Sequence, residues 1–228
     1  MHMRGKLIVI EGTDCSGKET QTNILVENLR KNNIPIESFS FPAYNTPTGK
    51  IVGGPYLGKK YICEGWFEEK ASNVDPKVAS LYYAADRRYN IGIINNYLDK
   101  GINVILDRYS YSNMAHQGGK IQDKQERIKM YEFIETLEFD LLELPKVDVA
   151  VFLHMPVECT LKLKQNRPEE ADQHEIDVHH LENAEKVYLE LAERYNFSTI
   201  ECGNSEYIKT IEEISKEVFE IVKNELVK

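Results

Sequence analysis

No apolar run in the chain approaches the roughly 20 residues that a bilayer crossing needs, so no membrane partner is expected. The four cysteines, Cys15, Cys63, Cys159 and Cys202, lie far apart and lack the paired spacing of a metal site. So few scattered thiols in 228 residues exclude a disulfide scaffold and point to reduced cysteines in the cytoplasm. Positive charge is scarce as well: 28 Lys and Arg against 37 Asp and Glu leave a net charge of −9. A nucleic-acid surface needs clustered cations to displace counterions, so no nucleic-acid partner is expected. A nucleotide ligand stays compatible, because its phosphates need only a few local cations. Met1 to Lys6 lead into a strand without the apolar stretch of a signal peptide. With no internal repeat and no low-complexity linker, one domain over residues 1–228 is expected.

Short apolar runs alternate with amphipathic stretches. Strands are expected at Lys6–Ile10, Glu37–Phe41, Asn103–Leu106, Val147–Leu153 and Phe197–Glu201. Helices are expected at Gln21–Asn32, Val78–Tyr97 and from about Ser205 to Val227. That alternation implies an α/β fold of three layers, a central parallel sheet of about five strands with helices on both faces. Ligands bind such sheets beyond the carboxyl ends of the strands. Two stretches break the alternation. Asn45–Asn73 is glycine-rich and is expected to form loops over one edge. Gln165–His180 is dense in polar and charged residues and is expected to be a mobile surface segment.

Gly12-Thr13-Asp14-Cys15-Ser16-Gly17-Lys18 follows the first strand and opens the first helix, matching G-x-x-x-x-G-K. In that pattern backbone N–H groups cradle phosphates and the lysine reaches the β- and γ-phosphates. The expected ATP-binding set is therefore Gly12, Thr13, Asp14, Cys15, Ser16, Gly17, Lys18, Glu19 and Thr20. Glu19 stands where the motif usually has Ser or Thr, the side chain that reaches magnesium. Thr20 points about 100° away and cannot replace it. No N-K-x-D guanine motif is present, which argues against a GTPase.

Asp107-Arg108-Tyr109 directly follows the strand ending at Leu106. An acid there can hold Mg²⁺ through water, and an arginine can grip a phosphate with two donors. Asp107 and Glu19 are the expected metal residues, with a solvated Glu19 and Asp107 alone as the alternative. On the long helix, Tyr83 and Arg87 are four apart and share a face, an aromatic plate beside a donor for a base.

Over nearly its whole length the chain resembles the thymidylate kinases. The motifs behind the resemblance are Ile10-Glu11-Gly12, the acidic Asp14 in the loop, Phe41-Pro42, the aromatic-x-Ala-x-Arg helix Tyr83–Arg87, and Asp107-Arg108-Tyr109-Ser110-Tyr111-Ser112-Asn113-Met114-Ala115-His116-Gln117-Gly118. The resemblance implies a P-loop kinase fold with a lid at about 165–180, Mg²⁺ with ATP as co-substrate, and a homodimer. It implies phosphoryl transfer from ATP to dTMP, with Lys18, Arg108 and Arg167 catalytic. Tyr83 would stack on thymine, Arg87 and Gln117 would bond its polar edge, and Asp14 would meet the 3′-hydroxyl. Phe41, Pro42, Tyr44 and Asn113 complete the substrate-binding set. The chain departs from the family at Tyr44, where many relatives carry arginine, and at Tyr83, where Phe is commoner. Another phosphotransferase of the same fold, or a non-catalytic regulatory module, are the alternatives.

Other features have plainer readings. Asp172, His174, Glu175, Asp177, His179 and His180 read as a polar lid rather than a metal cluster. Cys15 reads as a tolerated small residue, Trp66 as packing for a loop, and Asp86 as a partner for a cation such as Arg88.

Overall fold

β1 (Leu7–Gly12) is buried along its whole length, as a strand covered on both faces must be. After it come α1 (Lys18–Lys31), β2 (Ile36–Ser40), α2 (Pro47–Ile51) and a π-helical turn at Val52–Tyr56. The long α3 (Pro76–Asp99) leads to β3 (Asn103–Asp107), α4 (Ser110–Gly118), α5 (Lys124–Glu135) and a second π-helical turn at Thr136–Leu141. β4 (Val149–His154), α6 (Val157–Lys164), α7 (Val178–Arg194), β5 (Ser198–Glu201) and α8 (Ile211–Val227) complete the order. The structure is a computed structural model that describes residues 3–13, 16–164 and 178–227.

The five strands run parallel in the order β2-β3-β1-β4-β5, which puts β1 at the centre between β3 and β4. Successive residues of β1 point to opposite faces. Ile8 and Ile10 join Leu25, Leu29, Val218 and Val222 on the side of α1 and α8. Leu7 and Val9 join Ile91, Ile94 and Leu98 of α3 on the other side. The expected three layers are thus present, with α4, α5 and α7 packing on the α3 side around Phe152, Met114 and Tyr188.

α3 starts sharply because the Asp75 side chain accepts from the N–H groups of Lys77 and Val78, and Pro76 holds a helical φ. The glycine-rich stretch before it is more ordered than its composition suggests. Val52, Tyr56, Leu57, Ala71, Val74 and Ala79 form a small core of their own, with Phe67, Tyr82 and Tyr83 packed against it. Gly49, Gly53 and Gly54 serve close packing rather than looping: a Cβ on Gly49 would lie 1.9 Å from the Ala43 carbonyl oxygen. Lys120 pins this unit by donating to the carbonyls of Ala71 and Val74, each at 2.8 Å. Burial lowers the Lys120 pKa to about 8. Trp66, expected to pack the loop, is instead 78% exposed. Among the described residues, no helix is long and apolar enough to cross a membrane.

Candidate active site

The phosphate loop begins where β1 ends. Gly17 takes φ 81°, a left-handed conformation that other residues rarely adopt, and caps α1 with no side chain. The N–H groups of the first turn are therefore not consumed by a side-chain cap. A Cβ on Gly12 would lie 2.5 Å from Ser16 Oγ and 2.8 Å from the Leu153 carbonyl oxygen, so only glycine fits. Thr13 Oγ1 donates to the Met155 carbonyl at 2.9 Å and fastens the loop to the end of β4. Lys18 is buried, and its Nζ donates to the Thr13 carbonyl at 2.7 Å. Glu19 and Thr20 are exposed on the first turn of α1, while Asp14 and Cys15 lie outside the described residues.

Beside the loop, β3 ends at Asp107, in register with Ile10 of β1. Asp107 is buried, and its Oδ1 has no partner among the described residues. A bare carboxylate oxygen next to a phosphate loop suits a hard cation that takes oxygen ligands, so the donor set fits Mg²⁺. Arg108 follows at φ 67°, a strained conformation for any residue but glycine. Its Nη1 reaches Ser112 Oγ at 3.3 Å and the Tyr188 hydroxyl at 3.4 Å, and lies 3.4 Å from His116 Nε2.

The residue that holds this corner together is Glu11, which the sequence marks only as a family feature. Fully buried, it accepts from Tyr109 N at 2.8 Å, Ser112 N at 3.2 Å, Ser112 Oγ at 2.6 Å and the Tyr188 hydroxyl at 3.1 Å. Burial raises its pKa, although the Ser112 bond and the charge of Arg108 work against the rise. The signal was available: it is the one acid inside an otherwise apolar β1.

Seven of the residues expected to bind substrate meet in one cavity with roughly 500 Å³ of space between the atoms, part of it open to solvent. Phe41, Pro42, Tyr44, Tyr83, Arg87, Arg108 and Asn113 all line it, joined by Leu57, Ser112 and His116. Asp86 braces the wall after β2 by accepting from Ala43 N at 2.8 Å and Thr48 Oγ1 at 2.8 Å. It does this rather than pairing with a cation as expected. Tyr83 stands edge-on to Tyr56, with ring centroids 5.8 Å apart.

Gln117 is fully buried and does not line the cavity; neither of its side-chain polar atoms has a partner among the described residues. Arg167 and most of the expected lid lie outside the described residues, as do Asp172, His174, Glu175 and Asp177; Val178–His180 open α7.

Arg87 is buried and already engaged. Its Nε donates to Glu138 Oε2 at 2.7 Å and its Nη2 to Glu138 Oε1 at 2.5 Å. Burial opposes the charge on Arg87, but the Glu138 carboxylate outweighs it and raises the pKa above the ordinary arginine value. Arg87→Ala therefore strands a buried carboxylate, and denaturant unfolding should show a loss of about 3–5 kcal/mol alongside any change in dTMP KM. An unchanged unfolding midpoint would remove the structural half of that expectation.

Comparison with known proteins agrees with this arrangement. The thymidylate kinase family profile matches residues 10–214. The thymidylate kinase of Schizosaccharomyces pombe is 28% identical over 222 residues, covering 97% of this chain and 93% of the yeast protein. That of Prochlorococcus marinus is 31% identical over 224 residues, covering 97% of this chain and 100% of its own. The solved structure of thymidylate kinase from Candida albicans superposes with a TM-score of 0.71 at 27% identity, covering 97% of this chain and 92% of that one. A phosphate loop after β1, an Asp-Arg pair after β3 and a match across most of the sequence lead to one conclusion: the chain belongs to the thymidylate kinase family.

Proposed function

We propose that the protein transfers the γ-phosphoryl group of ATP to the 5′-phosphate of dTMP, giving dTDP and ADP. The observation that carries this reading is the cavity beside the phosphate loop, with Arg108 near the loop and Tyr83, Arg87 and Asn113 lining the same space. Asn113 donates its Nδ2 to Glu138 Oε1 and to the Ser80 carbonyl, which leaves the buried Oδ1 as an acceptor with no partner among the described residues. An acceptor and a guanidinium donor match the ring N–H and carbonyl of thymine. Tyr44 adds a hydroxyl where many relatives have a charge, so Arg108 carries more of the acceptor phosphate.

The acceptor oxygen is already anionic at neutral pH, so no general base is required. Lys18, Arg108 and Arg167 act by positioning and by neutralising charge as the phosphoryl group moves. Asp107, with Glu19 through the hydration shell, would hold Mg²⁺, which supplies charge neutralisation on the β- and γ-phosphates when bound. Asp107→Asn should raise the Mg²⁺ concentration for half-maximal activity about tenfold, and Glu19→Ala less. Mg²⁺ titrations of activity and of ATP binding check this, and an unchanged requirement in both variants refutes the metal assignment.

ADP release with dTMP, dUMP, dCMP and dGMP tests the function itself. The Candida albicans enzyme is described as having broad substrate specificity, so the whole panel matters. Preferred turnover of dTMP is expected; absence of ADP formation with every acceptor tested would restore the non-catalytic reading.

Two further assignments belong with this reading. Val78, Leu81, Tyr89 and Ile93 are exposed along α3, an apolar stripe that a second copy of the chain would cover in a homodimer. A monomeric mass by sedimentation would overturn that assignment. The protein works in the cytoplasm: Cys63, Cys159 and Cys202 carry free thiols, and burial pushes that of Cys202 up to about 12. Recovery in an oxidising compartment would contradict it.

A further inference from the structure

Glu138 lies on the second π-helical turn, 51 positions from Arg87, and is fully buried. A buried carboxylate is tolerated only when its lone pairs are matched by donors. Here the donors come from three residues on two helices. Arg87 of α3 supplies Nε and Nη2, Asn113 of α4 supplies Nδ2 to Oε1 at 2.9 Å, and Ser110 at the start of α4 supplies Oγ to Oε2.

The chemistry of a carboxylate gives this cluster a direction. It accepts and cannot donate, so each group facing it must present a hydrogen. For Asn113 that decides which way round the amide stands: its NH₂ faces Glu138 and the Ser80 carbonyl, at 3.3 Å, which is a second acceptor. Oδ1 is then an acceptor with no partner among the described residues. For Arg87 the two bonds to Glu138 use Nε and Nη2 and leave Nη1 out of the pair. Both Arg87 and Asn113 line the cavity, whereas Glu138 does not.

We propose that Glu138 is a positioning residue that sets the hydrogen-bonding polarity of the base end of the cavity, fixing Arg87 as donor and Asn113 as acceptor. The inference rests on the reading of this cavity as the dTMP site. A site of this polarity accepts a base with a ring N–H beside a carbonyl, as in thymine. It opposes one with a bare ring nitrogen beside an amino group, as in cytosine, because acceptor would meet acceptor and donor would meet donor. Glu138 thus governs base choice without touching the base.

Glu138→Gln tests this with almost no change in size. One accepting oxygen becomes an NH₂, the donors of Arg87, Ser110 and Asn113 no longer all find acceptors, and the Asn113 amide loses its fixed orientation. The kcat/KM ratio of dTMP over dCMP should fall about tenfold or more, through dTMP KM, while ATP affinity stays at the parent value. Glu138→Asp keeps an acceptor-only group on a shorter stem, so dTMP KM should rise while the dTMP-over-dCMP ratio stays close to the parent's. Circular dichroism establishes whether each variant folds, and if Glu138→Gln does not, dTMP KM in Glu138→Asp decides. A parent ratio retained in folded Glu138→Gln overturns the inference, as does an unchanged dTMP KM in Glu138→Asp. A parent protein that releases no ADP with dTMP refutes the functional reading instead.

Discussion

Arg108→Ala should lower kcat for dTMP phosphorylation about 10³-fold while the protein stays folded. Arginines that neutralise a transferring phosphoryl group contribute on that scale, because little else in the reaction needs covalent help. The protein should stay folded, since Glu11 keeps its hydrogen bonds from Tyr109, Ser112 and Tyr188 when the Arg108 side chain is removed. Arg108→Gly gives a sharper version. At φ 67° the wild-type backbone is strained, and glycine relieves about 1 kcal/mol of that strain. The glycine variant should therefore be inactive yet more stable than the alanine variant, by denaturant unfolding. Turnover within tenfold of the parent in either variant would move the acceptor-phosphate role elsewhere.

Lys18→Met should be nearly as damaging, lowering kcat about 10²–10³-fold. Methionine keeps most of the length and apolar contact of the lysine stem but has no charge to follow the γ-phosphate. Nζ sits 2.7 Å from the Thr13 carbonyl, so the ammonium is already held within the loop rather than recruited from solvent. A preorganised donor of this kind acts mainly on the transition state. The loss should accordingly appear in single-turnover rate more than in ATP dissociation constant. Equal single-turnover rates in parent and Lys18→Met would remove the lysine from the chemistry.

The sheet was readable because strands buried on both faces need unbroken apolar runs, and all five expected strands fall within about two residues of their places. The sequence shows α4 as a motif and not as a helix. Ser110, Ser112, Asn113 and Gln117 are buried polar residues, so the usual contrast between an apolar and a polar face is missing there. The segment before α3 misled for a different reason: glycine reads as looseness, but Gly49 serves a close backbone approach.

At the site, local motifs placed Tyr83, Arg87, Arg108 and Asn113 on one cavity. What local motifs cannot carry is the pairing of Arg87 with Glu138. Nothing in the neighbourhood of either residue marks the other, and only the packing of α3 against the second π-helical turn joins them.

The small core at Val52–Ala79 gives the cavity two walls that differ in how readily they open. Phe41 belongs to the main core beneath the sheet, whereas Leu57 belongs to the satellite cluster and Tyr83 packs against it. A cluster of so few apolar residues opens at lower free energy than the sheet, on the timescales that amide hydrogen exchange reads. Nucleotide held between the walls adds its binding energy to the opening of the satellite and leaves that of β1 and β3 alone. Amides of residues 52–75 should then exchange more slowly with dTMP bound, while those of the central strands keep their rates.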